Sequence, residues 1–330
     1  MTFDTTAPEI AFALRTVRKA AQLARRIRAS MPAESVTKDD LSPVTVADFA
    51  LQALVARDLE ETFPGDPLVA EERAADLRSS PAVLETVTGF VRETVDGVDG
   101  VDVCRWIDRG GAEVGGRFWT LDPIDGTKGY LRGGQYAVAL ALVVGGEVKL
   151  GVLGCPNLEG GVLAAAVRGQ GAWRMPLDED PAKAGTTNKG DSGFVPLHVS
   201  ECEDPARARM LRSFEAAHTN TEQIDALAHA MNIQAEPVLM DSQAKYIVLA
   251  GGGAELLVRL LSPKNPGYRE KIWDHAAGSI IVEEAGGRIT DLDGVALDFT
   301  QGRALNKNRG LLVSNGRLHE LALVALSRLA

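Results

Sequence analysis

The segment WTLDPIDGTKGY, residues 119–130, determines how the rest of the sequence is interpreted. An apolar run ends abruptly in Asp122-Pro123-Ile124-Asp125-Gly126, where Asp-Gly favours a turn and Pro123 predicts the end of a central strand. Two carboxylates with this spacing converge on one point once the chain turns. An ordinary acidic loop is the alternative interpretation, because aspartate is common in turns.

Two helices are predicted on the N-terminal side of this segment. Apolar residues recur every three or four positions over residues 6–29, and Thr6 with Glu9 has the spacing of a capping box. A second helix is predicted over residues 46–63, where Pro64-Gly65 ends it. The helical pattern around Asp48 makes an ordinary exposed helical aspartate the simplest interpretation of that residue.

Strands dominate the region that follows the segment. Residues 137–144 and 147–153 flank Gly145-Gly146, a strong hairpin signal, and a second hairpin is predicted at 162–167 and 172–175. Beyond them strands and helices alternate. The predicted helices cover 222–231, 242–249, 274–284 and 318–329, and the predicted strands cover 210–214, 237–240, 255–260, 288–292 and 310–314.

These patterns predict two lobes of different fold class. An α+β lobe is expected over residues 1–194 and an α/β lobe over residues 195–330. The polar stretch at 178–193, rich in Gly, Pro and Lys, is predicted to be a loose loop.

Composition excludes several classes of protein. The chain has 330 residues, a net charge of −10, 45% hydrophobic and 24% charged residues, which excludes extensive disorder and argues against a general nucleic-acid binder. Small phosphorylated ligands stay possible, since metal ions can lie between carboxylates and phosphate. Three cysteines without CxxC spacing argue against a disulfide scaffold or zinc site. The sequence shows neither the pattern of a secretory signal nor an apolar run long enough to span a membrane, so we expect a cytoplasmic protein.

Two distant motifs extend the argument beyond the local segment. Trp273-Asp274-His275-Ala276-Ala277-Gly278 and Glu71 in LVAEE, taken with WTLDPIDGT, resemble the paired signature of the inositol monophosphatase superfamily. The resemblance extends from about Leu41 to Asn315. It implies a layered α-β-α-β-α sandwich.

A narrower resemblance concerns the 3'(2'),5'-bisphosphate nucleotidase branch of that superfamily. It is carried by DLSPVTVAD (40–48), DGTKGYLRGGQYAVALAL (125–142), DSQAKY (241–246) and EKIWDHAAG (270–278). The branch implies removal of the 3'-phosphate from 3'-phosphoadenosine 5'-phosphate, with its phosphosulfate as a further candidate substrate, and sensitivity to lithium. A phosphatase that acts on inositol mono- or polyphosphates is the alternative. A catalytically inactive phosphonucleotide sensor is a third hypothesis.

The resemblance assigns metal ligands, and their chemistry suits that role. Oxygen ligands are those that Mg²⁺ prefers, and the cation both neutralises phosphoryl oxygens and lowers the pKa of a bound water. We therefore expect two or three Mg²⁺ ions to be held by the Glu71, Asp122, Asp125 and Asp274 carboxylates and the Ile124 carbonyl. Asp274 is also predicted to open a helix, where an N-cap is its ordinary role.

The remaining site residues are implied by the nucleotidase resemblance. Asp48 is expected to act as the base on the attacking water, with the Thr127 hydroxyl as relay. Lys245 lies one turn beyond Ser242 on a predicted helix, so that both would face one anion. The expected substrate contacts are Gly126, Thr127, His218, Ser242, Lys245, Arg259 and Asp274. The expected partner is a small phosphorylated nucleotide, with no nucleic acid or membrane, and the protein is expected to be a monomer or homodimer.

Overall fold

The first helix, α1, spans Pro8–Ser30 in the computed structural model, which describes residues 3–31, 43–183, 193–214, 221–261, 265 and 267–329. Its predicted apolar stripe is buried along the whole length of the helix. The predicted capping box is wrong. Ala7 is the N-cap, and the Thr6 hydroxyl donates to Asp4 Oδ1 at 2.6 Å instead. Pro8 begins the helix because its fixed φ and missing N–H suit the first turn.

A seven-stranded sheet follows the chain order from one edge to the other. Its first two strands are parallel and the later neighbours are antiparallel. Both predicted hairpins are confirmed, and Gly145 and Gly146 take the positive φ values of 63° and 82° that their tight turn requires. The strands are β1 (Leu68–Ala70), β2 (Arg117–Asp125), β3 (Ala137–Val144), β4 (Glu147–Cys155), β5 (Val162–Val167), β6 (Gly171–Pro176) and β7 (Val195–Pro196).

Within the described residues 43–183, five further α-helices follow α1. Helix α5 shows why one of them begins where it does, since the Asp99 carboxylate accepts hydrogen bonds from the Val101 and Asp102 amides. The helices are α2 (Pro43–Thr62), α3 (Ala74–Arg78), α4 (Pro81–Arg92), α5 (Gly100–Arg109) and α6 (Thr127–Arg132). Of these, only α2 is predicted from the sequence pattern.

A second, five-stranded sheet occupies the C-terminal part, and its strand order is β11-β12-β10-β8-β9. The predicted strands and helices are all present there with slightly different ends. The strands are β8 (Met210–Arg212), β9 (Val238–Leu239), β10 (Leu256–Arg259), β11 (Arg288–Thr290) and β12 (Leu311–Ser314). The helices are α7 (Thr221–Ala230), α8 (Ala244–Ala250), α9 (Ala276–Glu284) and α10 (His319–Ser327).

The helices and sheets stack as five layers, which confirms the predicted α-β-α-β-α sandwich. Helices α1 and α2 cover one face of the first sheet, and α9 packs against its other face and against β11 of the second sheet. Helix α8 packs beside α9, while α7 and α10 lie together, with α10 on β12. Three apolar cores fill the spaces between these layers. Because α9 comes from the C-terminal half yet packs on the N-terminal sheet, both halves build the middle of the molecule.

The predicted lobes at 1–194 and 195–330 remain a prediction. The last strand of the first sheet, β7, lies at residues 195–196. In the predicted loop at 178–193, Pro181–Lys183 forms one 3₁₀ turn, and residues 184–192 lie outside the described part of the chain. No helix in the described ranges has both the length and the apolar character that crossing a membrane requires.

Candidate active site

Strand β2 contains an irregularity at the aspartate segment. Its pairing with β1 covers Trp119–Leu121 only, and its register against β3 shifts between Asp122 and Asp125. The prediction that Pro123 ends the strand is therefore wrong. Proline is tolerated because the ladder is already interrupted there, so that its missing N–H removes no pairing bond.

This irregularity brings the two aspartates of β2 together with a third from the C-terminal half. Carboxylate oxygens of Asp122, Asp125 and Asp274 all lie within 4.8 Å of one another. The Ile124 side chain, 2% exposed, points into the core, as the use of its carbonyl as a ligand requires. Glu71 directly follows β1 and lines the same cavity. The structure thus brings together every residue predicted to bind metal.

Asp274 does not open helix α9 as predicted. The helix begins two residues later, at Ala276, and its N-cap is His275. Asp274 lies in the preceding turn, where its carboxylate lies close to the other two aspartates and does not cap the helix. Its prediction as an N-cap is wrong.

The acidic cluster is electrostatically unfavourable by itself. Burial raises the pKa of Asp122 well above its usual value, and the charges of Glu71, Asp125 and Asp274 raise it further. Burial and the Asp125 charge have the same effect on the pKa of Asp274. In addition, Asp122 Oδ1 is buried without a hydrogen-bond partner among the described residues. A cation bound between these oxygens would satisfy that atom and remove the repulsion, so the residues present fit hard divalent metal ions.

Gln243 links two members of the cluster, and the sequence analysis did not identify it. Its amide N–H donates to Asp125 Oδ2. Its side chain donates to the Trp273 carbonyl at 3.0 Å and accepts from the Gly278 amide at 3.3 Å. The 2% exposed Gln243 therefore joins the Asp125 loop to the turn that carries Asp274. Its place in the DSQAKY motif was the available signal.

The end of β1 is also held by a glutamine from another element. Gln52 of α2 donates from Nε2 to the Glu72 carbonyl and accepts from the Glu72 amide, both at 2.9 Å. This two-way bond fixes the backbone directly after Glu71. It therefore determines where the Glu71 carboxylate enters the cavity.

The residues predicted to activate water lie on two contacting helices. Asp48 is half-buried on α2, and Thr127 is the first residue of α6 and lines the cavity. Burial raises the pKa of Asp48 well above its usual value, and Glu72 and Glu71 add to the effect. Gly126 precedes Thr127 with φ 89°, and a Cβ there would lie 2.6 Å from the Ser242 Cβ. The catalytic roles of Asp48 and Thr127 remain predictions.

Two cationic side chains line the same cavity as the acidic cluster. Lys245 on α8 is 6% exposed and donates from Nζ to Ser213 Oγ at 2.8 Å. Burial, aided by the Arg259 charge, lowers the pKa of Lys245 to about 8. Arg259 at the end of β10 pairs with Glu270, with Nε–Oε1 and Nη2–Oε2 distances of 3.2 and 3.0 Å.

The predicted helical relation of Ser242 to Lys245 is wrong. Ser242 precedes α8 with a φ of 66°, and the helix begins at Ala244. Both residues nevertheless line the cavity, because the turn at Ser242 packs closely on Gly126. His218, also predicted to contact substrate, lies outside the described residues.

A buried polar network supports the cationic side, and sequence reasoning missed it. Glu270, 6% exposed, accepts from both Arg259 and His275, whose Nε2 lies 3.0 Å from Glu270 Oε2. The other ring nitrogen of His275 is 2.7 Å from the Tyr246 hydroxyl. Charges from Arg259 and the His275 bond lower the pKa of Glu270 to about 2 despite its burial. The network holds an ionised Glu270 beside the turn that carries Asp274.

The cavity that these groups share has a volume of about 460 Å³. The acidic side of the cavity consists of Glu71 and the three aspartates, and its cationic side consists of Lys245 and Arg259. The two groups are neighbours, since the charges of Lys245 and Arg259 oppose the rise in the pKa of Asp125 that burial causes. A ligand with two separated phosphates matches this arrangement, because one phosphate can face metal ions and the other can face fixed cations.

Comparisons with known proteins agree with these features. The inositol monophosphatase family profile matches residues 6–329. The chain is 40% identical to a 3'(2'),5'-bisphosphate nucleotidase from Oryza sativa, over 94% of this chain and 91% of that protein. It is 35% identical to a 3'(2'),5'-bisphosphate nucleotidase from Schizosaccharomyces pombe, over 98% and 96%.

Solved structures share the fold at lower sequence identity. The Thermotoga maritima IMPase superimposes with a TM-score of 0.64 at 20% identity, covering 98% of both chains. Mycobacterium tuberculosis SuhB gives 0.63 at 21% identity, covering 97% of this chain and 95% of that one. The predicted fold and family are confirmed: the chain belongs to the inositol monophosphatase family.

Proposed function

We propose that the chain is a metal-dependent phosphomonoesterase that hydrolyses the 3'-phosphate of 3'-phosphoadenosine 5'-phosphate to give AMP and phosphate. One observation carries the proposal: an acidic cluster, Lys245 and Arg259 line a single cavity. Relatives named 3'(2'),5'-bisphosphate nucleotidase, similar over nearly the full chain, support the substrate class. The 5'-phosphosulfate analogue is a second candidate substrate.

Two or three Mg²⁺ ions would be held by four carboxylates and one carbonyl. These ligands are Glu71, Asp122, Ile124, Asp125 and Asp274. When bound, the ions neutralise the phosphoryl oxygens and acidify a water molecule. The protein prepares for this by holding the carboxylates close together, with Gln243 and Gln52 fixing the backbone on either side.

The Asp48 and Thr127 side chains would position the attacking water and accept its proton. The raised pKa of Asp48 suits a carboxylate that takes up a proton during turnover. The leading alternative role for Thr127 is a hydrogen bond to the scissile phosphate. The two roles differ kinetically, because a water-positioning hydroxyl acts in the transition state.

Lys245 and Arg259 would bind the 5'-phosphate of the substrate. Both are fixed before substrate arrives, Lys245 by Ser213 and Arg259 by Glu270. Preorganised cations bind phosphate more tightly because little ordering cost remains. Gly126, Ser242 and His218 are the further proposed substrate contacts.

We also propose a reducing compartment such as the cytoplasm. Cys104, Cys155 and Cys202 are all free thiols, which suits a reducing environment. The enzyme would act as a monomer or homodimer, which sedimentation velocity distinguishes.

The experiment that tests the function is phosphate release in the presence of Mg²⁺. The substrates are 3'-phosphoadenosine 5'-phosphate, its phosphosulfate, adenosine 3'-monophosphate, an inositol monophosphate and an inositol bisphosphate. We expect the highest kcat/KM for one of the two bisphosphorylated adenosine compounds. A higher kcat/KM for an inositol phosphate would replace the nucleotidase assignment, and binding of the nucleotide without turnover would indicate a sensor.

A further inference from the structure

Arg303 touches the two chain segments that carry Glu71 and Asp274. Its guanidinium donates from Nη2 to the carbonyl of Ala70, the residue before Glu71, and from Nη1 to the Gly110 carbonyl at 3.1 Å. The same group lies over the ring of Trp273, the residue before Asp274, at 4.8 Å from the centroid. One side chain therefore contacts the immediate neighbour of both metal-ligand positions.

The backbone around Arg303 is held on the Asp274 segment as well. The Ile272 amide donates to the Arg303 carbonyl at 3.3 Å, and Lys271 forms a bridge with Ala304. The Leu305 amide donates to the Glu270 carbonyl at 2.9 Å. The segment at 303–305 is thus anchored on residues 270–272, while its guanidinium reaches across to β1.

The contacts of Arg303 form a brace, by which we mean a link between the end of β1 and the segment that carries Asp274. The Glu71 and Asp274 carboxylates face a common cluster and repel each other while no cation lies between them. Arg303 donates to the Ala70 carbonyl at the end of β1 and to the Gly110 carbonyl, which also accepts from the Ala70 amide, and it stacks on Trp273. It therefore opposes separation of the two segments. We propose that Arg303 is a positioning residue that sets the distance between the Glu71 and Asp274 ligands for metal binding. This inference rests on the proposed function.

The charge of Arg303 alone would have the opposite effect on metal binding. Arg303 and Lys271 are both close enough to Glu71 to lower the pKa of its carboxyl, which burial and Asp125 otherwise raise. A positive charge beside a cation site weakens cation binding by repulsion. Removal of charge should therefore strengthen metal binding, whereas removal of a brace should weaken it. The sign of the change separates the two roles.

The test is isothermal titration calorimetry, in which the protein is titrated with Mn²⁺ alone in the absence of substrate. The variants are Arg303→Gln and Arg303→Lys, with Lys271→Gln as the matched control. Lys271 is exposed and shares the proximity to Glu71, whereas the hydrogen bond to Ala70 and the stacking on Trp273 belong to Arg303. We expect the Kd for Mn²⁺ to rise about tenfold in both Arg303 variants, as is typical when a supporting partner of a ligand is removed. In Lys271→Gln it should fall or stay unchanged.

The Arg303→Lys variant keeps the positive charge but loses the planar guanidinium, so it separates the effect of geometry from the effect of charge. It also provides a second measurement if Arg303→Gln does not fold. Wild-type or tighter Mn²⁺ binding in a folded Arg303 variant would overturn the brace, even if its Tm were lower. Asp122→Asn distinguishes this result from failure of the proposed function. If Asp122→Asn binds Mn²⁺ as the wild type does, the metal site itself is misplaced.

Discussion

The acidic side of the cavity and the Arg259–Glu270 pair of its cationic side differ in how the protein compensates their charges. On the acidic side, Asp122 and Asp274 have raised pKa values because burial and neighbouring carboxylates oppose their ionisation. On the cationic side, Arg259 is neutralised within the protein by Glu270, and the pKa of Glu270 is lowered to about 2. Asp122 Oδ1 therefore lacks a compensating partner among the described residues, whereas Arg259 has a fixed partner before any ligand binds. Substitutions of Asp122 and of Arg259 should consequently have opposite effects on stability.

The largest expected effect follows from Asp122→Asn. Asparagine lacks the charge that a divalent cation needs, so we expect turnover to fall below detection. The pKa of Asp122 is raised in the fold, so its ionisation destabilises the metal-free protein as pH rises from about 4 through the folded pKa. At pH 7 without metal, the variant should have an unchanged or higher Tm, by about 2 °C if 1 kcal/mol is recovered.

The measurement is differential scanning calorimetry with and without Mg²⁺, together with phosphate release. Asp293→Asn is a suitable control, because Asp293 is an exposed carboxylate that pairs with Arg309 outside the cavity. A variant that retains both activity and stabilisation by Mg²⁺ would contradict the assignment of Asp122 as a ligand.

Thr127→Ala should have the second largest effect. If the hydroxyl positions the attacking water, kcat should fall about 100-fold, in the range of general acid–base contributions, with little change in KM. Steady-state kinetics at saturating Mg²⁺ measures both constants, and Thr127→Ser should recover most of kcat. A rise in KM at constant kcat would make Thr127 a substrate-binding residue.

Lys245→Ala tests the cationic side. A charge-assisted hydrogen bond to phosphate contributes about 1.5–3 kcal/mol, so kcat/KM for 3'-phosphoadenosine 5'-phosphate should fall roughly tenfold to a hundredfold. Activity on adenosine 3'-monophosphate, which lacks the 5'-phosphate, should barely change. Lys149→Ala, which removes an exposed lysine paired with Glu147, is the control. Equal losses on both substrates would show that Lys245 is structural or contacts the scissile phosphate.

The smallest effect concerns pH. Because the pKa of Lys245 is lowered to about 8, its charge is present below that value and is lost as the pH rises through it. We expect kcat/KM for the bisphosphate to decline above about pH 8, since kcat/KM reports groups of the free enzyme. Lys245→Arg keeps the charge at all these pH values, so its profile should be flatter. An identical decline in wild type and Lys245→Arg would assign the pH dependence to another group.

Local signals predicted some elements better than others. Both hairpins of the first sheet were predicted because a hairpin is encoded by neighbouring residues, such as the Gly145-Gly146 turn between two apolar runs. Helices α3, α4 and α5 were missed, although α4 and α5 have buried apolar residues at helical spacing, Val83, Val87 and Val91 in α4 and Val103 and Ile107 in α5. The predicted capping box was wrong because the helix begins at Pro8 with Ala7 as its N-cap, which places Thr6 one residue before the N-cap position.

The sequence by itself determined which carboxylates belong to the acidic side. Asp122, Ile124 and Asp125 lie within four residues, Asp274 lies in a distant motif, and the family resemblance of these motifs brought them into one hypothesis. Their shared cavity also contains Glu71, as the motif order implied.

Only the tertiary structure decided how those ligands are held. Gln243 binds Asp125, Glu270 binds Arg259 and His275, and Arg303 reaches the Ala70 carbonyl. Each of these contacts joins segments whose proximity depends on the packing of two sheets and the helices between them. Local sequence encodes backbone preference and side-chain chemistry, but the partner of a buried polar group depends on which distant segment folding brings beside it.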